Sequence, residues 1–161
     1  MWPFRKKGPP PVPPPTGLPE EDIWTLRESV VDGEPMVIRI NTTAREYAGH
    51  PELPLRLGIA IPIEAPNRRG LPDEPENRQL DAIEGRIFDA VHPHGRVVFV
   101  VTTSGMREVV SYVRTAERAE EIVSAIRSIV DTHQIHHHVE EDPAWDEFRT
   151  AAGADQPPPA S

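Results

Sequence analysis

The chain has 161 residues, enough for one domain with a substantial hydrophobic core, and its formal net charge is −9. It has no cysteine, which excludes disulfides, thiolate nucleophiles, iron–sulfur clusters and cysteine-ligated zinc. The acidic balance argues against direct nucleic-acid binding, because phosphate contacts need clustered positive charge.

The two ends of the chain differ in composition from its middle. Residues 1–20 contain PPPVPPP, and Pro157, Pro158 and Pro159 lie near the other end. Such segments have little apolar surface to bury. We therefore expect disordered tails over residues 1–20 and 153–161, on either side of one domain over residues 21–152. The N-terminal basic cluster is followed by no apolar stretch, and no run approaches the roughly 18 apolar residues of a membrane span, so the expected location is the cytoplasm.

The first predicted element is a β-hairpin. Trp24, Leu26 and Val30 alternate with polar residues, Asp32-Gly33 follows, and a second alternating run comes after it. Asp-Gly between alternating runs is a strong hairpin signal. The next stretch, residues 41–54, is a connection with a helical turn near its start.

A strand and a helix follow. Residues 55–63 carry an apolar residue at every second position, which is typical of a half-buried strand. Asp73 is suited to cap a helix, since Pro75 and Glu76 fall in the first turn. An apolar stripe at helical spacing then predicts a helix that ends near His92.

The stretch from Gly95 to Arg114 reads GRVVFVVTTSGMREVVSYVR and predicts a second hairpin, turned at Ser104-Gly105. Its first strand is apolar on both faces and needs cover on both sides. Thr115 is suited to cap a second amphipathic helix. Residues 135–140 predict a last strand, and Asp142-Pro143 opens a short helix that carries Trp145 and Phe148.

Apart from the first hairpin, the order is strand, helix, strand, strand, helix, strand. This order predicts an α+β fold with a ferredoxin-like βαββαβ core, an added N-terminal β-hairpin and a short C-terminal helix. In that core the strand Val97–Val101 would be an edge, and an apolar edge promotes aggregation. We expect the N-terminal hairpin to extend or cover it; a meander onto the Leu55 strand is the alternative.

No catalytic constellation is apparent. Ser104 is not in a Gly-X-Ser-X-Gly elbow, and there is no glycine-rich phosphate loop. The two lysines, Lys6 and Lys7, precede the folded body, so no lysine of the body can form a Schiff base.

Histidines provide the one alternative based on a metal. His136 and His138 would share a face of the last strand with Glu140, and two histidines with a carboxylate form a known ligand set. A solvated polar face explains the same pattern. We expect no metal and no cofactor, and keep a metal-dependent hydrolase as the alternative function.

Trp24 before the Asp32-Gly33 hairpin, TTSGMREVVSYV and the closing DPAW together resemble the bacterial domain of unknown function DUF695, over roughly residues 22–150. The family has no established activity to carry over. Some of its members resemble, or are joined with, the RraB-type protein inhibitor of an RNA-degrading endonuclease. By analogy, the resemblance implies a role in binding another protein.

The sequence therefore favours a non-enzymatic module that binds a protein or a small ligand through its sheet or a hairpin tip. The candidate binding residues are Trp24, Arg107, Tyr112 and Trp145. Arg107 and Glu108, next to the hairpin turn, are expected to pair across the β-ladder; binding of a small anion is the alternative. We expect Trp145 and Phe148 to pack over the end of the sheet and close the core; an exposed recognition patch that contains Trp145 is the alternative.

Overall fold

The computed structural model describes residues 15–153, and its elements follow the predicted order. The strands are β1 Trp24–Val31, β2 Glu34–Asn41, β3 Leu55–Pro62, β4 Gly95–Thr103, β5 Met106–Val113 and β6 His136–Glu141. The helices are α1 Glu74–Val91, α2 Ala116–Ile129 and α3 Asp146–Gly153, with a 3-10 helix at Thr42–Glu46. No helix within residues 15–153 has the length and apolar character needed to cross a membrane.

The strands form one antiparallel sheet in the order β1-β2-β4-β5-β3-β6. Within this sheet, the four neighbouring strands β4, β5, β3 and β6 have the ferredoxin-like arrangement, so the predicted α+β class is confirmed. Strand β2 pairs with β4, with Ile38 opposite Val101, and the hairpin extends the sheet at the edge where it was expected. The alternative meander is not adopted, because β3 lies between β5 and β6.

Both predicted hairpin turns contain two consecutive residues with positive φ. The φ angles are 52° and 80° at Asp32 and Gly33, and 51° and 79° at Ser104 and Gly105. Turns of this kind match the right-handed twist of the strands that they join. The turn residues therefore set the register of both hairpins.

The core has two layers, one on each face of the sheet. The face covered by α1 and α2, called here the helix side, includes Leu57, Ile59, Val100, Val109, Leu80, Ile87, Ile122 and Ile126. The opposite face, called the α3 side, includes Ile38, Ile40, Phe99, Val110, Tyr112, Leu53, Trp145 and Phe148. Strand β4 contributes to both layers, as its uninterrupted apolar run requires.

The first helix is capped as predicted: the Asp73 side chain accepts a hydrogen bond from Glu76 N at 2.8 Å. Glu76 itself is buried and accepts from Glu64 N at 2.7 Å. His133, whose side chain is fully buried, places Nε2 2.7 Å from Glu76 Oε2. This contact joins the loop before β6 to the start of α1.

The C-terminal end of the domain differs from the prediction in one detail. Trp145 precedes α3 instead of lying within it, and its φ of 60° turns the chain between Asp142 and the helix. The Trp145 and Phe148 side chains are nevertheless buried against the sheet. The predicted closure of the core is confirmed.

Most of the predicted N-terminal tail, and residues 154–161 of the C-terminal one, lie outside the described residues. Residues 15–20 are described and run along the domain. Thr16 N donates to Glu52 Oε2 at 3.1 Å, and Arg96 donates to the Pro19 carbonyl. Leu18 packs against the apolar layer on the α3 side. The domain boundary at residue 21 stays a prediction.

Candidate functional site

The four candidate binding residues lie on opposite faces of the sheet. Trp24 is half-buried on the helix side, where its ring centroid is 5.5 Å from that of Phe88, and Arg107 is buried on the same side. Tyr112 and Trp145 are stacked in the layer on the α3 side, with ring centroids 4.2 Å apart. The structure therefore brings Tyr112 and Trp145 together, whereas Trp24 on β1 and Arg107 on β5 lie three strands apart. The roles of all four residues in binding stay predictions.

Arg107 joins β5 to α1. Its Nε donates to Thr102 Oγ1 at 2.9 Å, Nη1 to Asp81 Oδ1 at 2.9 Å and Nη2 to Asn77 Oδ1 at 2.7 Å. Because each nitrogen of the guanidinium already has an acceptor, the side chain is held in a fixed position. The predicted ion pair across the β-ladder is not formed, because the carboxylate partner of Arg107 is Asp81 on α1.

The histidines of β6 do not converge. His136 and His138 are exposed, and His136 Nε2 is 3.2 Å from Gln134 Oε1. Glu140 binds Arg56 at 2.6 Å on the neighbouring strand. Within residues 15–153, no group of three or more histidine or acidic side chains is arranged to hold a metal ion.

The predicted hairpin tip at Ser104-Gly105 is held by the loop between β3 and α1. Gly105 N donates to the Gly70 carbonyl at 2.8 Å, and Ile63 N donates to the Gly105 carbonyl at 2.8 Å. A Cβ atom on Gly70 would lie 3.0 Å from Ser104 Cα. The tip is therefore packed against this loop.

Asp142 fixes α3 to the sheet. Its Oδ2 accepts from Tyr112 Oη at 2.7 Å, and its carboxylate also accepts from the backbone N–H groups of Asp146 and Glu147. Arg56 Nη1 lies 3.3 Å away. Burial alone would raise the pKa of Asp142, but these contacts outweigh it and lower the pKa. Burial and the hydrogen bond to Asp142 raise the pKa of Tyr112.

Glu108 is a partly buried carboxylate on the α3 side of β5, opposite Val101 and Ala60. Burial raises its pKa, nearby Glu147 adds to this effect, and His138 opposes it. The pKa of Glu108 is therefore higher in the folded state than in the unfolded state, so Glu108 stabilises the fold at pH values below its unfolded pKa. This stabilisation is lost as the pH rises through the folded pKa.

We therefore expect Glu108→Gln to raise the melting temperature at pH 7, with a gain that vanishes near pH 4, where the wild-type carboxyl is protonated. Thermal unfolding of both proteins at the two pH values measures this. Glu46→Gln, at an exposed position of the 3-10 helix, is the control and should leave the melting temperature unchanged at both pH values. A lower melting temperature of Glu108→Gln at pH 7 would contradict the expectation.

Two grooves flank the N-terminal hairpin, one on each face of the sheet. The groove on the helix side has a volume of about 600 Å³; one wall is α1 and the other is formed by Trp24 and Arg39 of the hairpin. The groove on the α3 side has a volume of about 540 Å³, with Ile38, Phe99 and Val101 among its lining residues. The helix-side groove is lined mainly by charged residues of α1, whereas the groove on the α3 side is mainly apolar and is suited to apolar side chains of another molecule. Open grooves therefore border the hairpin on both faces of the sheet.

The two edges of the sheet differ in chemistry. The edge strand β6 carries His136, His138 and Glu140, polar residues that discourage further pairing. The edge strand β1 has eight residues, and its Leu26 and Val30 side chains are 61% and 69% exposed. A long edge strand with exposed apolar side chains readily accepts another strand. Strand β1 is therefore the candidate functional site.

Sequence reasoning did not identify this exposure. Alternation at Leu26 and Val30 is the pattern of residues that face a core, and in β3 the same pattern is buried. A geometric signal was available: two packed helices cover a width of roughly 20–24 Å, whereas six strands, each about 4.8 Å wide, occupy roughly 29 Å. One edge of the extended sheet must therefore lie beyond the helices.

Comparisons with known proteins give a match to one family model. No curated protein and no solved structure matches the chain. The model of the family of unknown function DUF695 matches residues 22–150, which include every strand and most of α3. This chain therefore belongs to the DUF695 family.

Proposed function

We propose that this domain is a protein-binding module that adds a strand of its partner to β1. The observation that carries the proposal is the exposed apolar surface of Leu26 and Val30 on an edge strand of the sheet. In strand addition, main-chain hydrogen bonds supply affinity and alternate side chains supply specificity. The RraB-type inhibitor analogy implies the same class of activity, binding to another protein.

The test replaces both exposed apolar residues of the edge. Lysine on an edge strand prevents pairing with a further strand, and both positions are exposed, so Leu26→Lys with Val30→Lys should leave the fold intact. Ile129→Lys is the matched control, because Ile129 is also an exposed apolar residue, 54% accessible, at the end of α2.

Proteins are captured from a lysate of the source organism with the wild type, the double variant and the control, and the captured proteins are quantified by mass spectrometry. We expect the wild type and the control to retain the same partner, and the double variant to lose about tenfold or more of it. Capture of no specific partner by the wild type, or equal retention by the double variant, would contradict strand addition.

A further inference from the structure

We propose that the partner strand is basic, with the pattern apolar–X–Lys/Arg–X–apolar; this inference rests on the proposed function. Leu26, Glu28 and Val30 alternate along β1, so they share its helix side, and all three are exposed. An added strand would place alternate residues directly opposite these three side chains. The two outer positions meet apolar surface, and the central position meets a carboxylate.

Glu28 has no cation partner within residues 15–153. Its cross-strand neighbour on β2 is Val37. The adjacent Arg39 is engaged with Glu84 on α1, where Nη1 donates to Oε2 at 2.9 Å and a second contact joins Nη2 to Oε1. A cation on the incoming strand is therefore the group that would pair with Glu28.

The surrounding charge favours the same partner. The exposed charged residues of the hairpin are Glu28, Asp32 and Glu34, all acidic. The chain as a whole carries a net charge of −9. Such a surface attracts a basic segment and repels an acidic one, which affects both association rate and selectivity.

A second copy of the chain fits this edge poorly. When a twofold axis relates two β1 strands, they pair antiparallel and their helix sides lie on the same face of the joined sheet. Two registers of this kind pair seven of the eight residues of β1. In one register Trp24 lies opposite Val30 and Arg27 opposite Arg27. In the other, Thr25 lies opposite Val31 and Glu28 opposite Glu28. Like charges directly opposite each other destabilise a strand pair.

The predicted pattern does not depend on the direction of the partner strand. Apolar, basic and apolar residues at alternate positions read the same in both directions, so parallel and antiparallel addition both place the cation opposite Glu28. Synthetic peptides can therefore test the inference without a choice of direction.

The probes are labelled peptides with polar flanks, centred on Val-Thr-Lys-Thr-Val or on Val-Thr-Glu-Thr-Val, and binding to the full chain is measured by fluorescence anisotropy at low salt. We expect the lysine peptide to bind about fivefold more tightly than the glutamate peptide. Glu28→Lys should reverse this preference, and Glu28→Gln should reduce it to the smaller difference that Asp32, Glu34 and the net charge still produce. Added salt should reduce it.

The possible failures separate the two proposals. Equal binding of both peptides that is lost in the Leu26→Lys, Val30→Lys variant would overturn the basic pattern but support strand addition. Binding of neither peptide, or binding that the double variant retains, would overturn both proposals. A wild-type dimer that the double variant abolishes would assign the edge to a second copy and overturn the basic partner.

Discussion

Trp145→Ala is expected to lower the free energy of unfolding by about 3–5 kcal/mol, the range for loss of a large buried aromatic side chain. The Trp145 ring is fully buried and lies parallel to Tyr112, with an interplanar angle of 9°. It meets Tyr47 and Phe148 edge-on, both with centroids 5.9 Å away. Its Nε1–H donates to the Leu53 carbonyl at 2.8 Å, an acceptor that the alanine variant leaves without this donor.

Urea denaturation followed by circular dichroism measures this loss. Ile129→Ala is the control, because an exposed apolar residue should change the free energy of unfolding by less than about 0.5 kcal/mol. Trp145→Phe should fall between the two, since it keeps a ring but loses the hydrogen bond. A loss below about 1 kcal/mol in Trp145→Ala would show that the Trp145 ring does not hold α3 on the sheet.

Asp142→Ala is expected to lower the free energy of unfolding by roughly 3 kcal/mol or more, because removal of a buried charge leaves its partners unsatisfied. The variant removes the acceptor of Tyr112 Oη and of two backbone N–H groups that begin α3. It also leaves the partly buried Arg56 without one of its two carboxylate partners.

The pH dependence of the same variant is a second observable. The pKa of Asp142 is lower in the folded state than in the unfolded state. The ionised side chain therefore stabilises the fold at pH values above its unfolded pKa, near 4, and this stabilisation is lost as the pH falls through the folded pKa. The difference in stability between wild type and Asp142→Ala should therefore be largest at neutral pH and shrink at about pH 2. A difference independent of pH would contradict an ionised Asp142 in the fold.

Trp145 and Asp142 are coupled through Tyr112, which stacks on one and donates to the other. The double variant Trp145→Ala, Asp142→Ala should lose less stability than the two single variants together, because either change alone loosens α3. This measurement distinguishes a cooperative attachment of the helix from two independent contacts.

The local structure could be predicted from the sequence because its causes lie within a few residues. Asp32-Gly33 and Ser104-Gly105 turn the chain at the predicted positions, since each pair adopts positive φ. Asp73 and Thr115 cap their helices through contacts with residues three positions later. The fold could then be predicted from the order of the elements and from the rule that an apolar strand avoids the edge of a sheet.

Long-range partners could not be predicted in the same way, because they depend on strand register and helix position. His133 and Glu76 are 57 residues apart, and their contact forms where the loop before β6 reaches the start of α1. Asp142 was predicted to open the last helix, but its hydrogen bond with Tyr112 depends on the position of β5 below α3. Composition and periodicity carry no signal for such pairs.

The same distinction between local and long-range causes applies to the candidate site. The sequence by itself determined that Leu26 and Val30 occupy the same side of an N-terminal strand, because alternation is a local property of the chain. Tertiary structure alone decided that this side is open. The sheet has six strands, α1 and α2 pack against the strands at its centre, and β1 is left at the edge with its apolar side chains exposed.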